Sequence, residues 1–93
     1  MFEWDEENRA HIARHGITPE EAEQVLVYDP VDAGAQDHAG EERFVEVGVM
    51  DAMRVLVVIT TQRGELTRVV TAYPASAAFR RFYASQKGFE YER

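Results

Sequence analysis

The chain of 93 residues contains no cysteine, only three prolines and one tryptophan, and its ten lysines and arginines are outnumbered by seventeen aspartates and glutamates. Without cysteine there are no disulfide staples, no thiol catalysis and no Cys-based zinc site, and the composition fits a reducing compartment. No run of about 18 apolar residues occurs, so no stretch reads as a membrane-spanning helix. The opening Met1-Phe2-Glu3-Trp4-Asp5-Glu6-Glu7 lacks the basic and apolar stretches of a signal peptide. The chain is therefore expected in the cytoplasm. Phosphate-loop, dinucleotide-binding and Ser-His-Asp patterns are also missing.

What is present suits one domain over residues 1–93, since 45% hydrophobic and 11% aromatic residues are enough to build a core without metal or disulfides. The charge is unevenly placed. Residues 1–42 hold twelve acids against Arg9 and Arg14, a balance of −10, whereas residues 43–93 hold eight bases against five acids, a balance of +3. Between Arg54 and Lys87 six bases face the single acid Glu65, so a polyanion would have to meet this half. A solvated surface explains the same arginines equally well.

Along the chain, Phe2 to Trp4 alternates like a short strand, and Asp5 is placed as the N-cap of a helix over about Glu6 to His15, stopped by Gly16. Thr18-Pro19-Glu20-Glu21 restarts a helix with a capping box, and Ala22, Val25 and Leu26 mark its buried face. Asp29-Pro30 ends it, and the Asp-, Ala- and Gly-rich stretch to Glu42 reads as an exposed loop. Strands follow over Phe44–Met50, Arg54–Thr60 and Leu66–Tyr73, with turns at Asp51-Ala52 and Gln62-Arg63-Gly64. Val55 to Ile59 is apolar on both faces, which suits a central strand covered by helices. Ser76 to Lys87 reads as a last helix with Phe79, Phe82 and Tyr83 inward, and the tail from Gly88 to Arg93 as a frayed end. The predicted order is β-α-α-β-β-β-α, an α+β architecture with helices packed on an antiparallel sheet.

Phe2-Glu3-Trp4-Asp5, Arg14-His15-Gly16, Glu41-Glu42-Arg43-Phe44 and Arg68-Val69-Val70-Thr71-Ala72 resemble, in order and spacing, the successive signatures of the BrnT ribonuclease toxins. The resemblance covers almost the entire chain. It implies a fold similar to the RelE-type toxins, cleavage of RNA without metal or other cofactor, and growth inhibition. It also implies neutralisation by a BrnA-type antitoxin, with DNA reached only indirectly through that antitoxin and a homodimer within the complex as a further expectation. Three positions depart from the pattern. Tyr73-Pro74 follows Ala72 where the family carries an arginine and then a lysine or similar base, and Phe79 precedes Arg80 where it carries a glutamate. The alternative reading is a homologue that kept the fold and acts as a protein-interaction module.

Metal-free RNA cleavage needs a group to take the 2′-hydroxyl proton, a group to protonate the leaving 5′-oxygen, and cations for the charge on phosphorus. His15, beside Arg14 at a helix end, is the candidate for proton transfer, with a helix C-cap contact as the plainer reading. Arg68 is a candidate phosphate fork, or else the partner of an acid such as Glu46 or Glu65. Arg80 matches the family's last-helix arginine, and Arg81 diverges from it by about 100°. Tyr73 is placed to stack on a base, with Arg14, Tyr83 and Arg81 as further RNA contacts, although Tyr83 also suits the core. His11 and His15 have the spacing of a metal-ligand pair, but no third ligand is fixed by sequence and no metal site is expected.

Overall fold

A computed structural model of the chain describes residues 1–51 and 54–88. Its elements run β1 (Phe2–Glu3), α1 (Glu6–Ala13), α2 (Pro19–Val27), β2 (Val31–His38), β3 (Glu41–Val49), β4 (Val55–Arg63), β5 (Leu66–Pro74) and α3 (Ala77–Lys87). They build an α+β fold around one five-stranded sheet in the order β1-β5-β4-β3-β2. Among the described residues no helix is long and apolar enough to cross a membrane.

The helix starts follow the expected cap chemistry. Asp5 Oδ1 accepts from the backbone N–H groups of Glu7 and Asn8 at 3.0 and 3.1 Å, and Asn8 Oδ1 accepts from the Asp5 N–H at 2.8 Å. At α2, Thr18 Oγ1 accepts from Glu21 N and Glu21 Oε1 from Thr18 N, so two otherwise orphaned donors are satisfied reciprocally. The first helix is shorter than predicted. It ends at Ala13, and Arg14 and His15 form a turn released by Gly16 at φ 75°.

The segment after Pro30 is not a loop. It is strand β2, paired antiparallel with β3 from Val31↔Val47 to His38↔Glu41. Two features conceal it in the sequence. Asp32, Ala33, Gly34, Ala35 and Asp37 have poor strand propensity, as an exposed edge strand tolerates. The connecting turn uses Ala39 and Gly40 at φ 54° and 84°, the two positive angles of a tight hairpin normally signalled by Asn-Gly. A second correction concerns β1, which pairs parallel with β5 (Phe2↔Thr67, Glu3↔Arg68), so the sheet is mixed rather than antiparallel. The last turn shifts to Gly64-Glu65, because β4 continues through Arg63. The turn placed at Asp51-Ala52 and the tail after Gly88 fall partly or wholly outside the described residues.

Strand β4 is covered on both sides as its pattern predicts. Leu56 and Val58 join Ile12, Ile17, Ala22 and Val25 beneath α1 and α2. Val57, between them in sequence, points the other way to Val45, Val47 and Tyr83 beneath α3. Burying each such side chain contributes roughly 1.5–3 kcal/mol. Gly48 lets α2 close on β3, since a Cβ there would lie 3.1 Å from Val25 Cγ1.

At the β2–β3 edge two acids face each other across the ladder, Asp32 and Glu46. Burial, and then the charge of Asp32, push the Glu46 carboxyl above its ordinary value. A raised folded-state value means that the contribution is complete below the unfolded pKa and is lost as pH rises through the folded one. Glu46→Gln is therefore expected to raise the urea midpoint at pH 7 and to leave it unchanged near pH 3. An unchanged midpoint at pH 7 would show that the pair is fully solvated.

Candidate active site

Helix α1 has only two buried residues, Asn8 and Ile12, one turn apart. Ile12 enters the core, while Asn8 Nδ2 donates to Glu3 O at 2.9 Å and to Val69 O at 3.0 Å, fastening the helix along β5. This docking brings the two histidines into line. The His11 and His15 rings stack with centroids 6.4 Å apart, and the His15 ring lies 5.9 Å from that of Tyr73 on β5. Among the described residues no group of three or more His, Asp or Glu side chains gathers into a metal-binding set.

Arg68 is not the open phosphate fork of one sequence reading, and its partners are not Glu46 or Glu65. It is 8% exposed. Its Nη1 donates to Asp5 Oδ2 at 2.9 Å and to Glu3 Oε1 at 3.3 Å, and its Nη2 donates to Asp5 Oδ1 at 3.2 Å. Glu7 adds a charge 3.6 Å away. The parallel β1–β5 pairing, invisible in the sequence, places Glu3 beside Arg68. Arg68 thus clamps the start of α1 to the sheet. The hydrogen bond from Arg68, ahead of that from Asn8, holds the Asp5 carboxyl below the ordinary carboxylate range.

A lowered folded-state value gives stability that is present above the unfolded pKa of about 3.9 and is lost as pH falls through the folded value. Asp5→Asn should accordingly be less stable than the parent at pH 6 and converge on it in strong acid. Parallel stability curves from pH 6 to pH 2 would refute the clamp.

Beside α1, the sheet opens into a cleft of about 420 Å³, lined among others by His11, His38, Glu41, Arg43, Arg63 and Arg68. The face follows from alternation, because Arg43 is two residues from buried Val45, and Arg63 has the parity of Val57 and Ile59. Glu41 Oε1 accepts from Arg43 Nε at 3.1 Å, and its Oε2 lies 3.6 Å from Arg63 Nη2. Sequence reasoning missed most of this cleft. In the sequence His38 falls in an apparent loop and Arg63 in an apparent turn, and His11 stands out only by its metal-ligand spacing from His15. Once β2 and β3 form a hairpin, strand parity places Arg43 and Arg63 together.

The other predicted residues are spread around this region. Arg14 is exposed at the C-cap of α1. Arg80 Nη1 donates to Ala75 O at 2.9 Å, which holds its guanidinium near the end of β5, two residues beyond Tyr73. Arg81 is exposed at the next position of α3. Tyr83 is 7% exposed within the α3 core, with Lys87 Nζ 5.8 Å from its ring centre. The structure therefore brings His15, His11 and Tyr73 together beside the arginine cleft and sends Tyr83 inward.

Comparison with curated proteins finds no match. The family profile described as the ribonuclease toxin BrnT of type II toxin–antitoxin systems matches residues 4–78, from just after β1 into the first turn of α3. That match takes in His11 of α1, His15 just after it, Tyr73 and the cleft arginines. With most of the chain, including the His15–Tyr73 contact and the arginine cleft, inside the matched region, this protein belongs to the BrnT family of ribonuclease toxins.

Proposed function

We propose that the protein is an endoribonuclease of RelE-like fold that cleaves RNA without a metal ion, arrests growth, and is neutralised by a BrnA-type antitoxin. The observation that carries this reading is exposed His15 against Tyr73, linked through His11 to the arginine-lined cleft. A histidine suits proton transfer because its ordinary pKa lies near neutrality. In the proposed reaction the 2′-oxygen attacks phosphorus as its proton passes to a base, and the P–O5′ bond breaks as the 5′-oxygen gains a proton. The products are a 2′,3′-cyclic phosphate and a 5′-hydroxyl. His15 performs one of the two transfers.

Tyr73 offers a face on which a base can stack. Arg80, with one nitrogen tied to Ala75 O, has further donors for the charge on phosphorus, and exposed Arg14 and Arg81 extend the positive surface toward the RNA backbone. Tyr83 supports α3 from within the core, and Arg68 acts as a positioning residue through Asp5.

The test is cleavage of total RNA by the purified protein in EDTA beside a His15→Ala variant of equal stability. The variant is expected to be slower by about a hundredfold. An equal rate in both removes His15 from the mechanism. If neither cleaves, the protein is a binding homologue, a reading favoured by neutral Tyr73 at the edge of the site.

A further inference from the structure

In the cleft beside α1 the ion pairs within the fold leave arginine hydrogen-bond donors unused. A carboxylate, Glu41, sits between two guanidinium groups that reach it from different strands, Arg43 on β3 and Arg63 on β4. Its contact with Arg43 uses only Nε, and its approach to Arg63 at 3.6 Å is longer than a hydrogen bond. The Arg63 contact with Glu3 is longer still, at 3.8 Å, and the Arg63 side chain is 51% exposed. Among the described residues, the outer nitrogens of these two arginines have no hydrogen-bond acceptor within the fold. Two planar forks with unused donors, opening on one cleft, match the oxygens of a phosphate. His11 flanks them from the β5 side and His38 from the β2 side.

We infer that this cleft is the backbone-binding site for single-stranded RNA, that Arg43 and Arg63 hold one phosphodiester there, and that Glu41 occupies that phosphate's place in the free protein. The inference rests on the endoribonuclease reading and adds a substrate-binding site to it. The width supports a single strand, since the cleft spans the sheet from β5 to β2, three strand spacings or roughly 14 Å. His11 joins this site to His15, so a chain held by the two arginines runs on toward Tyr73. Because a carboxylate is the internal competitor, removing it should strengthen binding, an outcome that a purely structural role for Glu41 does not produce. Glu42 provides the control. It neighbours Glu41 in sequence but points to the opposite face of β3, so neutralising it changes net charge equally without opening the cleft.

The experiment measures fluorescence anisotropy of a short 2′-O-methyl oligoribonucleotide, which binds but cannot be cleaved, against the folded full-length protein. Arg43→Ala and Arg63→Ala should each weaken binding by about tenfold, whereas Arg54→Ala, just before β4 and at the opposite end from Arg63, should change it little. Glu41→Gln should tighten binding several-fold and Glu42→Gln clearly less. Thermal melts identify any variant that has unfolded, and Arg43→Gln and Arg63→Gln replace an alanine variant that has. Unchanged affinity in both arginine variants overturns the inference, as does weaker binding in Glu41→Gln. Loss of antitoxin binding with unchanged RNA affinity also overturns it, by assigning the cleft to a protein partner. Failure of the wild-type protein to bind the oligonucleotide overturns it too. The endoribonuclease reading is judged separately, by cleavage of natural RNA in EDTA.

Discussion

Asn8→Ala is expected to lower the stability of the protein by about 3 kcal/mol, although it removes neither a charge nor a large apolar group. Asn8 is 2% exposed and uses its amide completely: Nδ2 donates to Glu3 O and Val69 O, and Oδ1 accepts from Asp5 N. Alanine leaves all three partners without their bond. The Val69 carbonyl is the costly one, because its hydrogen bond lies in the buried interior. The amide also spans β1, α1 and β5, so its loss loosens the docking that lines His11 and His15 up with Tyr73. Urea unfolding followed by circular dichroism measures the first effect, and the rate of RNA cleavage under folded conditions measures the second. A midpoint equal to that of the wild type would mean that water reaches the abandoned carbonyls and that α1 is fastened in some other way.

Ile12→Ala should cost more, about 4 kcal/mol, through the lost transfer energy and the cavity left behind. Ile12 is fully buried and packs in the cluster that contains Ile17, Ala22, Val25 and Leu56. The eight residues of α1 are too few for a helix to persist alone in water, so the element exists only while docked. The double variant should therefore be less destabilised than the sum of the two single variants, because an undocked helix cannot be lost twice. Strict additivity in urea would show instead that Asn8 and Ile12 hold the helix independently.

Much of this fold is visible in local chemistry. Asp5, Thr18 and Ser76 cap the three helices where their side chains predict, and the doubly apolar run of β4 reads directly as a strand between two covered faces. Elements without a local signature escape sequence reasoning. Strand β2 is an exposed edge of small and acidic residues, stabilised by its ladder to β3 rather than by a buried face. The pairing of β1 with β5 joins residues 65 apart, and no residue pattern encodes such a contact. The site divides along the same line. His15 and Tyr73 stand out as residue types and do meet, but the arginine cleft depends on strand parity in a hairpin whose first strand is unrecognised. Arg68 shows the converse, since an arginine in a strand looks available until β1 delivers Glu3 and Asp5 to it.

The pairing of the first strand with the last also sets an order of events during synthesis. A chain still on the ribosome without residues 66–74 has neither the Val69 carbonyl for Asn8 nor the Arg68 guanidinium for Asp5, so its amino-terminal helix has nothing to rest on. The contact that aligns His15 with Tyr73 forms only after β5 has emerged, and non-local strand pairing is slow to close. A nascent chain that stops short of β5 therefore lacks the assembled corner, and whatever rests on that corner begins only once β5 has been made.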